Sequence, residues 1–206
     1  NEILFNPPNG GYDFVEIYNN TNKTLNLANL CIGSGNDYND LFCMEDYEYL
    51  IFPGTHFVFT DGPVSIKRDY YVKNPENLIK TDDLPTYRNN SGTAFLMNKS
   101  SVIIDKMSYT EDMHFPMLND TKGVSLERIN YDRPSDEKST WHSASESSDF
   151  ATPTYKNSQF SEEKACNMNF TVEPEVFSPD NDGRDDILNI HYKFDESGNV
   201  ANIKIF

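Results

Sequence analysis

Short runs in which apolar and polar side chains alternate recur along most of the chain. One such run shows two interleaved sets of residues: Phe14, Glu16 and Tyr18 on one face, and Asp13, Val15 and Ile17 on the other. A period of two is typical of a β-strand, because its successive side chains point to opposite faces. No long window shows the spacing of an amphipathic helix. The pattern therefore predicts an all-β fold.

Aromatic residues supply much of the bulk that such a fold needs for its core. The 206-residue chain contains 14 Phe and 12 Tyr, although only 37% of its residues are hydrophobic. Large aromatic side chains fit half-buried pleated surfaces better than helix faces. A chain of this length can bury a hydrophobic core without help from a metal ion or a disulfide.

A Pro-Gly pair marks one tight reversal of the chain. Pro53-Gly54 lies between two strand-like runs, Tyr47–Phe52 and His56–Phe59. Proline fixes φ at the first turn position, and glycine accepts a positive φ at the next. The following stretch, 64–88, predicts a long surface connection with a short helix around Ser65–Tyr71.

The clearest hairpin surrounds Asn98–Ser100. Ala94–Met97 precedes this turn and Ser101–Met107 follows it, and both are strand-like. Val102–Ile104 is a continuous apolar run, which is typical of a strand buried on both faces. We therefore expect the second strand of this hairpin to be a central one.

The acidic composition excludes several classes of partner. The formal net charge is −16, so the surface repels nucleic-acid phosphates and anionic lipid headgroups. No apolar run approaches the roughly 20 residues that span a bilayer. We expect no nucleic-acid binding and no direct membrane insertion.

The sequence divides into two parts with a charged linker between them. We predict a first domain over residues 1–160, a linker over 161–169 and a second β domain over 170–206. The second part offers only two or three strands, Val200–Phe206 among them, and these cannot close a sandwich alone. We therefore expect the second domain to be partial and the chain to belong to a longer protein.

The first part resembles a lamin-tail domain of the bacterial, secreted type. The resemblance lies in NEILFNPPNGGYDFVEIYN, TLNLANLCIG, LIFPGTHFVFTD, GVSLERI and ATPTYKN, together with Trp141. Asn29-Leu30 departs from the family, whose members often have Gly-Trp there. The resemblance implies an immunoglobulin-like β-sandwich without catalytic residues. It also implies an interaction or structural role in a secreted, periplasmic or cell-surface protein.

The end of the chain resembles another kind of module. FSPDNDGRDDILNIHYKFDESGNVANIKIF is similar to the start of C-terminal immunoglobulin-like modules of the flagellar-hook-capping type. A shared fold does not supply a function.

Closely spaced acids in that segment suggest a metal site. Asp180, Asp182 and Asp186 surround Gly183, and Ca²⁺ prefers several carboxylate and carbonyl oxygens. The spacing does not match an EF-hand. A solvated turn between strands is the alternative. No other cofactor is predicted.

The cysteines and histidines predict no further metal or reaction centre. Cys31 and Cys43 enclose a short polar loop, so they form either a disulfide or two ordinary thiols. His56, His114 and His142 show no metal-ligand spacing, and neither does His191. No nucleophile, base or metal trio is visible, so we predict that the chain is not an enzyme.

Tyrosines offer an alternative function. A carbohydrate-binding module would expose several of them as a stacking platform, and packing in the sheets is the competing explanation. The expected partner is a protein or a cell-surface glycan. The candidate tyrosines are Tyr47, Tyr49, Tyr70, Tyr71, Tyr87 and Tyr109.

Overall fold

The structure is a computed structural model that describes residues 1–162, 169–174 and 177–193. The chain forms two compact units, Asn1–Phe160 and Ser161–Phe206. Most of the regular structure in the described residues is β-strand, which confirms the prediction of a β-rich fold.

The first unit contains a series of short strands and one short helix. Helix α1 spans Pro63–Asp69, close to the predicted Ser65–Tyr71, and the fixed φ of proline suits its first turn. The strands are β1 (Glu2–Leu4), β2 (Phe14–Tyr18), β3 (Leu25–Asn26), β4 (Leu30–Ser34), β5 (Asp40–Cys43), β6 (Leu50–Ile51), β7 (His56–Thr60), β8 (Leu78–Lys80), β9 (Ser91–Asn98), β10 (Ile103–Thr110), β11 (Leu126–Arg128) and β12 (Trp141–Ser143).

These strands form two main sheets and one small pair. The larger sheet has six strands in the order β12-β11-β1-β2-β7-β8, and the other has four in the order β10-β9-β4-β5. β3 and β6 pair separately. β7 and β8 are parallel, and the other pairs in the first unit are antiparallel.

The two sheets share a hydrophobic core. Ile3 and Leu126 of the six-stranded sheet cluster with Ala94 and Met107 of the four-stranded sheet, and Trp141 joins them. Each large apolar side chain that is fully buried contributes roughly 1.5–3 kcal/mol.

The opposite face of the six-stranded sheet is covered as well. Leu4, Phe14 and Val58 pack there against Ile66 of α1 and against Ala151. β1, in the middle of the sheet, is therefore covered on both faces, which explains why all three of its residues are inaccessible to solvent.

The hairpin around residues 98–100 forms as predicted, but its second strand is not a central one. β10 lies at the edge of the four-stranded sheet and, among the described strands, pairs only with β9. Val102 and Ile104 are 56% and 54% exposed. The prediction from Val102–Ile104 was wrong because no described residue buries these two side chains.

The second unit contains two described strands. β13 (Asn169–Glu173) and β14 (Asn189–Lys193) pair antiparallel. Large apolar side chains of this unit, such as Ile187, stay exposed, so these two strands do not bury a core. The predicted strand Val200–Phe206 lies outside the described residues, and so does most of the predicted linker 161–169.

Across the described residues, no helix has the length and apolar character required to traverse a bilayer.

Candidate functional site

Three buried glutamates lie side by side on neighbouring strands of the six-stranded sheet. Glu2 of β1 is directly opposite Glu127 of β11 on one side and Glu16 of β2 on the other. Each is at most 1% exposed. Alternation along the strands places them on the face opposite Ile3 and Val15. We call these three residues the glutamate layer.

Residues 145–159, which we call the strap, supply hydrogen-bond partners for the glutamate layer. The backbone N–H of Thr154 donates to Glu16 Oε2 at 2.6 Å. Ser158 Oγ and the Gln159 N–H both donate to Glu127 Oε2, at 2.8 Å each. Buried carboxylates are tolerated in proteins when they are hydrogen-bonded in this way.

Thr152 connects two members of the layer. Its N–H and Ser125 Oγ donate to Glu2 Oε1, at 2.8 and 2.5 Å. Its hydroxyl lies 2.6 Å from Glu127 Oε1 and 3.1 Å from Glu2 Oε2. A hydroxyl has one proton to donate. Both contacts are hydrogen bonds when Glu2 carries a proton on Oε2 and donates it to Thr152, which donates to Glu127.

The electrostatics of the layer favour the same proton position. Burial raises the pKa of Glu2 to about 8, and the neighbouring Glu127 adds to the rise. Burial, followed by the proximity of Glu2, raises the pKa of Glu16 well above its usual value. Neutral acids cost much less to bury than charged ones. At neutral pH the layer is therefore partly protonated.

Sequence reasoning did not single out the glutamate layer. The available signal was that Glu16 is in phase with Phe14, so both must point to the same face. That face is buried under α1 and the strap. The proximity of Glu2 and Glu127 depends on strand register between distant segments, which alternation alone does not provide.

A second polar pair combines a histidine and a serine. His114 Nδ1 lies 2.9 Å from Ser143 Oγ, and both residues are buried. Ser143 Oγ also accepts from the Phe115 N–H at 2.9 Å. His114 Nε2 has no partner among the described residues, so no carboxylate orients the ring as in a hydrolase triad. Burial lowers the pKa of His114 to about 4, which keeps the ring neutral.

The other histidines form no shared site. His56 is buried, and its ring packs at a tilt of 37° against Tyr18 with centroids 4.5 Å apart. His142 and His191 belong to different strands, β12 and β14.

A cleft lies between the two main sheets of the first unit. It encloses about 700 Å³, including space that is open to solvent. Apolar residues from both sheets line it, and Arg128, Asp105 and Ser135 line it as well. Trp141 is the only tryptophan in the chain and also faces this space.

The three predicted calcium ligands come together in the second unit. One oxygen each of Asp180, Asp182 and Asp186 lies within 4.8 Å of the other two. The N–H groups of Asn181 and Gly183 already donate to the two oxygens of Asp186, at 2.6 and 2.7 Å. A bound cation would share these oxygens with the backbone.

Among the residues that the structure describes, these aspartates are the only group close enough to hold one ion together. Calcium binding stays a prediction. Calorimetric titration of the metal-free chain tests it: heat should be released with the wild type and lost in an Asp182→Asn variant. A wild type without heat at millimolar calcium would remove the site.

Half of the tyrosines proposed as a sugar platform are buried. Tyr70, Tyr87 and Tyr109 are at most 7% exposed. The hydroxyls of Tyr70 and Tyr109 donate to the carbonyls of Gly123 and Arg88, at 2.9 and 3.1 Å. The prediction that these three form a platform was wrong because they complete the core.

The remaining three tyrosines belong to two separate pairs of rings. Tyr49 is 45% exposed, and its ring centroid lies 6.4 Å from that of Tyr47. Tyr71 is 62% exposed and packs against Tyr155 at 5.8 Å.

Cys31 and Cys43 are joined by a disulfide. The two residues lie directly opposite each other on β4 and β5. The polar loop between them is thereby closed at its base.

Comparison with known proteins identifies no relative. No protein-family model matches the chain, and no curated protein or solved structure matches it either. The resemblance to lamin-tail domains and to hook-capping modules stays a prediction that rests on the quoted residues.

Proposed function

We propose that the chain is a non-catalytic interaction or structural module of a secreted or cell-envelope bacterial protein. Its first unit would be an immunoglobulin-like β-sandwich, and its partner a protein or a cell-surface glycan. The observation that carries the proposal is the glutamate layer, because the acids best suited to catalysis are sealed beneath the strap.

The contacts of these acids support a structural role. Glycosidase chemistry needs two carboxyl groups that face a substrate across a cleft roughly 5–9 Å wide. Here Glu2 and Glu127 are instead bridged by Thr152, and Glu16 is bonded to Thr154. The Ser143–His114 pair is buried and has no orienting acid in the part of the chain that the structure describes. The disulfide suits an oxidising compartment, in keeping with a secreted protein.

Turnover assays test this proposal. The full chain is incubated with panels of glycoside, ester and peptide substrates, in parallel with Glu2→Gln and with the exposed control Glu76→Gln. We expect no turnover by any of the three proteins. Turnover by the wild type that persists in Glu76→Gln but disappears in Glu2→Gln would show that the layer is catalytic.

Carbohydrate binding is the second candidate, and the exposed ring of Tyr49 beside Tyr47 favours it. Sugars stack on exposed aromatic faces, so Tyr49→Ala should abolish glycan binding in an array. Tyr71→Ala is the matched control, because Tyr71 is also exposed but belongs to another pair of rings. An array without signal, or equal loss in both variants, would exclude this use of Tyr49.

A further inference from the structure

Strand β5 forms one edge of the four-stranded sheet, and its pairing with β4 shows which of its backbone groups are free. The N–H of Met44, one residue beyond β5, donates to the Leu30 carbonyl at 3.1 Å. Along an antiparallel pair, residues that bond to the neighbouring strand alternate with residues that do not. The N–H and C=O groups of Leu41 and Cys43 therefore point away from β4.

The spacing and the exposure of these residues agree with that assignment. The Cα atoms of Cys31 and Cys43 are 4.0 Å apart, nearer to the roughly 4.5 Å of a non-hydrogen-bonded pair than to the roughly 5.5 Å of a hydrogen-bonded one. Leu41 is 38% exposed, and Cys43 is exposed as well. No described residue outside β4 is hydrogen-bonded to the backbone of either. Four backbone groups thus face solvent at this edge.

The other edges of the two main sheets are covered. The Lys80 carbonyl of β8 accepts from the Tyr47 hydroxyl at 2.9 Å. The Lys106 carbonyl of β10 accepts from Ser135 Oγ at 3.0 Å. The residues of β12 are buried or half-buried. Covering of this kind keeps a sheet edge from pairing with another chain, and the described residues provide no such contact on the outer side of β5.

Acidic side chains flank the free edge. Residues 24–66 contain no lysine or arginine. Two lysines approach from β9 and β10: Lys99 lies 3.8 Å from Glu45, and Lys106 donates to the Tyr38 hydroxyl at 3.1 Å. Three exposed acids close to β5 in the chain form no ion pair with another described residue: Asp37, Asp46 and Glu48. The edge therefore favours a positively charged partner.

We propose that β5 binds an extended, basic segment of a partner protein, which joins the four-stranded sheet as a fifth strand. Backbone hydrogen bonds to Leu41 and Cys43 hold the segment. Its apolar side chains lie beside these two residues, because directly opposite residues share a face. Its lysines or arginines lie near the unpaired acids. A second copy of the chain is disfavoured, because two β5 edges would bring like charges together.

This inference rests on the proposed interaction role and adds the chemistry of the partner. The probe is an acetylated and amidated peptide, Lys-Val-Lys-Val-Lys-Val-Lys, titrated into the full chain in a calorimeter at low ionic strength. We expect saturable binding that weakens as salt is added, because the acids are exposed. The same peptide with glutamate in place of lysine should not bind.

Methylation of backbone nitrogens separates strand addition from charge attraction alone. N-methylation of the three valines removes the donors that face β5, because the valines lie opposite Leu41 and Cys43. N-methylation of the three lysines that follow a valine removes as many donors on the far side. We expect the first peptide to bind at least about tenfold more weakly than the second. Equal affinities would overturn strand addition.

Two variants of Leu41 test the edge in the protein. Leu41→Pro removes an N–H that faces solvent, a place where edge strands tolerate proline, and should weaken binding about fivefold. Leu41→Val is the matched control: it keeps the N–H and suits a strand, so its affinity should stay within about twofold of the wild type. Thermal melting verifies that both variants are folded. Equal binding by both would overturn the role of the edge.

A pair of charge variants decides the case if Leu41→Pro does not fold. Asp46→Asn/Glu48→Gln should weaken peptide binding about threefold at low salt. Glu76→Gln/Glu111→Gln removes two exposed acids of other segments and should leave binding almost unchanged. Equal loss in the two double variants would overturn the assignment to this surface.

A wild type that shows no saturation by about 1 mM peptide would overturn the inference as a whole. The proposed non-catalytic role would then still stand, because the turnover assays test it separately.

Discussion

Thr154 adopts a backbone conformation that its residue type rarely accepts. Its φ is 72°, in the left-handed region, which is a genuine outlier for a β-branched residue. A residue held in this region lowers the stability of the fold by about 1–3 kcal/mol, and it stays there only where its surroundings fix it. Here the Thr154 N–H is held by Glu16, and its carbonyl accepts from Asn74 Nδ2 at 2.6 Å.

We expect Thr154→Gly to be more stable than Thr154→Ala by about 1 kcal/mol. Both variants lose the hydroxyl that accepts from the Asn74 N–H. The difference in their free energies of unfolding therefore measures the cost of holding a residue with a Cβ atom at this positive φ. Urea unfolding of the two variants measures the difference. A more stable alanine variant would show that the conformation carries no strain.

Glu2 makes the stability of the chain depend on pH. Burial raises the pKa of Glu2 to about 8 from its ordinary value of 4.5. Between these values the folded chain holds a proton that the unfolded chain has released, so rising pH favours unfolding. The stability that Glu2 contributes to the folded chain is fully present below pH 4.5. It is lost as the pH rises through about 8.

Glu2→Gln should therefore flatten the pH profile. Glutamine copies the neutral acid, including a donor toward Thr152. From about pH 6 to about pH 8, the free energy of unfolding should fall less steeply in the variant, by about 1 kcal/mol per pH unit. Groups far from Glu2 are common to both chains and cancel, and removing the charge of Glu2 also lowers the pKa of Glu16, which flattens the profile in the same direction. Denaturant melts across this range measure the slopes, with Glu76→Gln as the exposed control; parallel slopes would refute the account of Glu2.

At the scale of elements, local turn chemistry made two reversals of the chain predictable. Pro53-Gly54 and Asn98–Ser100 form turns between strands as expected, although only the second joins two strands that pair with each other. Trp141 begins β12, a strand that the sequence analysis did not predict. The edge position of β10 and the existence of β12 depend on which strands become neighbours, and a local pattern does not encode that.

The disulfide fixes one of these elements, the β4–β5 hairpin. A cross-link that closes a short loop stabilises the fold by about 2–3 kcal/mol, mainly because it restricts the unfolded chain. The Cys31→Ala/Cys43→Ala double variant should lose that amount. Thermal melting with and without a thiol reductant measures it.

The reductant should lower the melting temperature of the wild type and leave the double variant unchanged. A wild type that melts identically under both conditions would show that the cross-link between Cys31 and Cys43 adds no stability.

At the scale of the whole molecule, the sequence predicted a β-rich chain but not how its polar groups are used. The alternation of side chains along a strand shows which residues share a face of the sheet. The more hydrophobic face is then normally expected to be the buried one. Both faces of β1 are buried, and the face of β2 that carries Glu16 is buried as well, so Glu2 and Glu16 are inside although they are acidic. The strap, distant in sequence, donates hydrogen bonds that make that possible, together with Ser125 and Asn1.

The proposed function depends on that strap being part of the folded core rather than a mobile lid over an acid site. Amide hydrogen exchange of Thr152, Thr154 and Gln159 tests this most directly, because their N–H groups donate to the buried carboxyls. We predict that all three exchange as slowly as the amides of β1 and β2, through global unfolding alone. Exchange of these three amides within minutes, while the sheet stays protected, would contradict the account, since the glutamates would then be open to solvent and substrate.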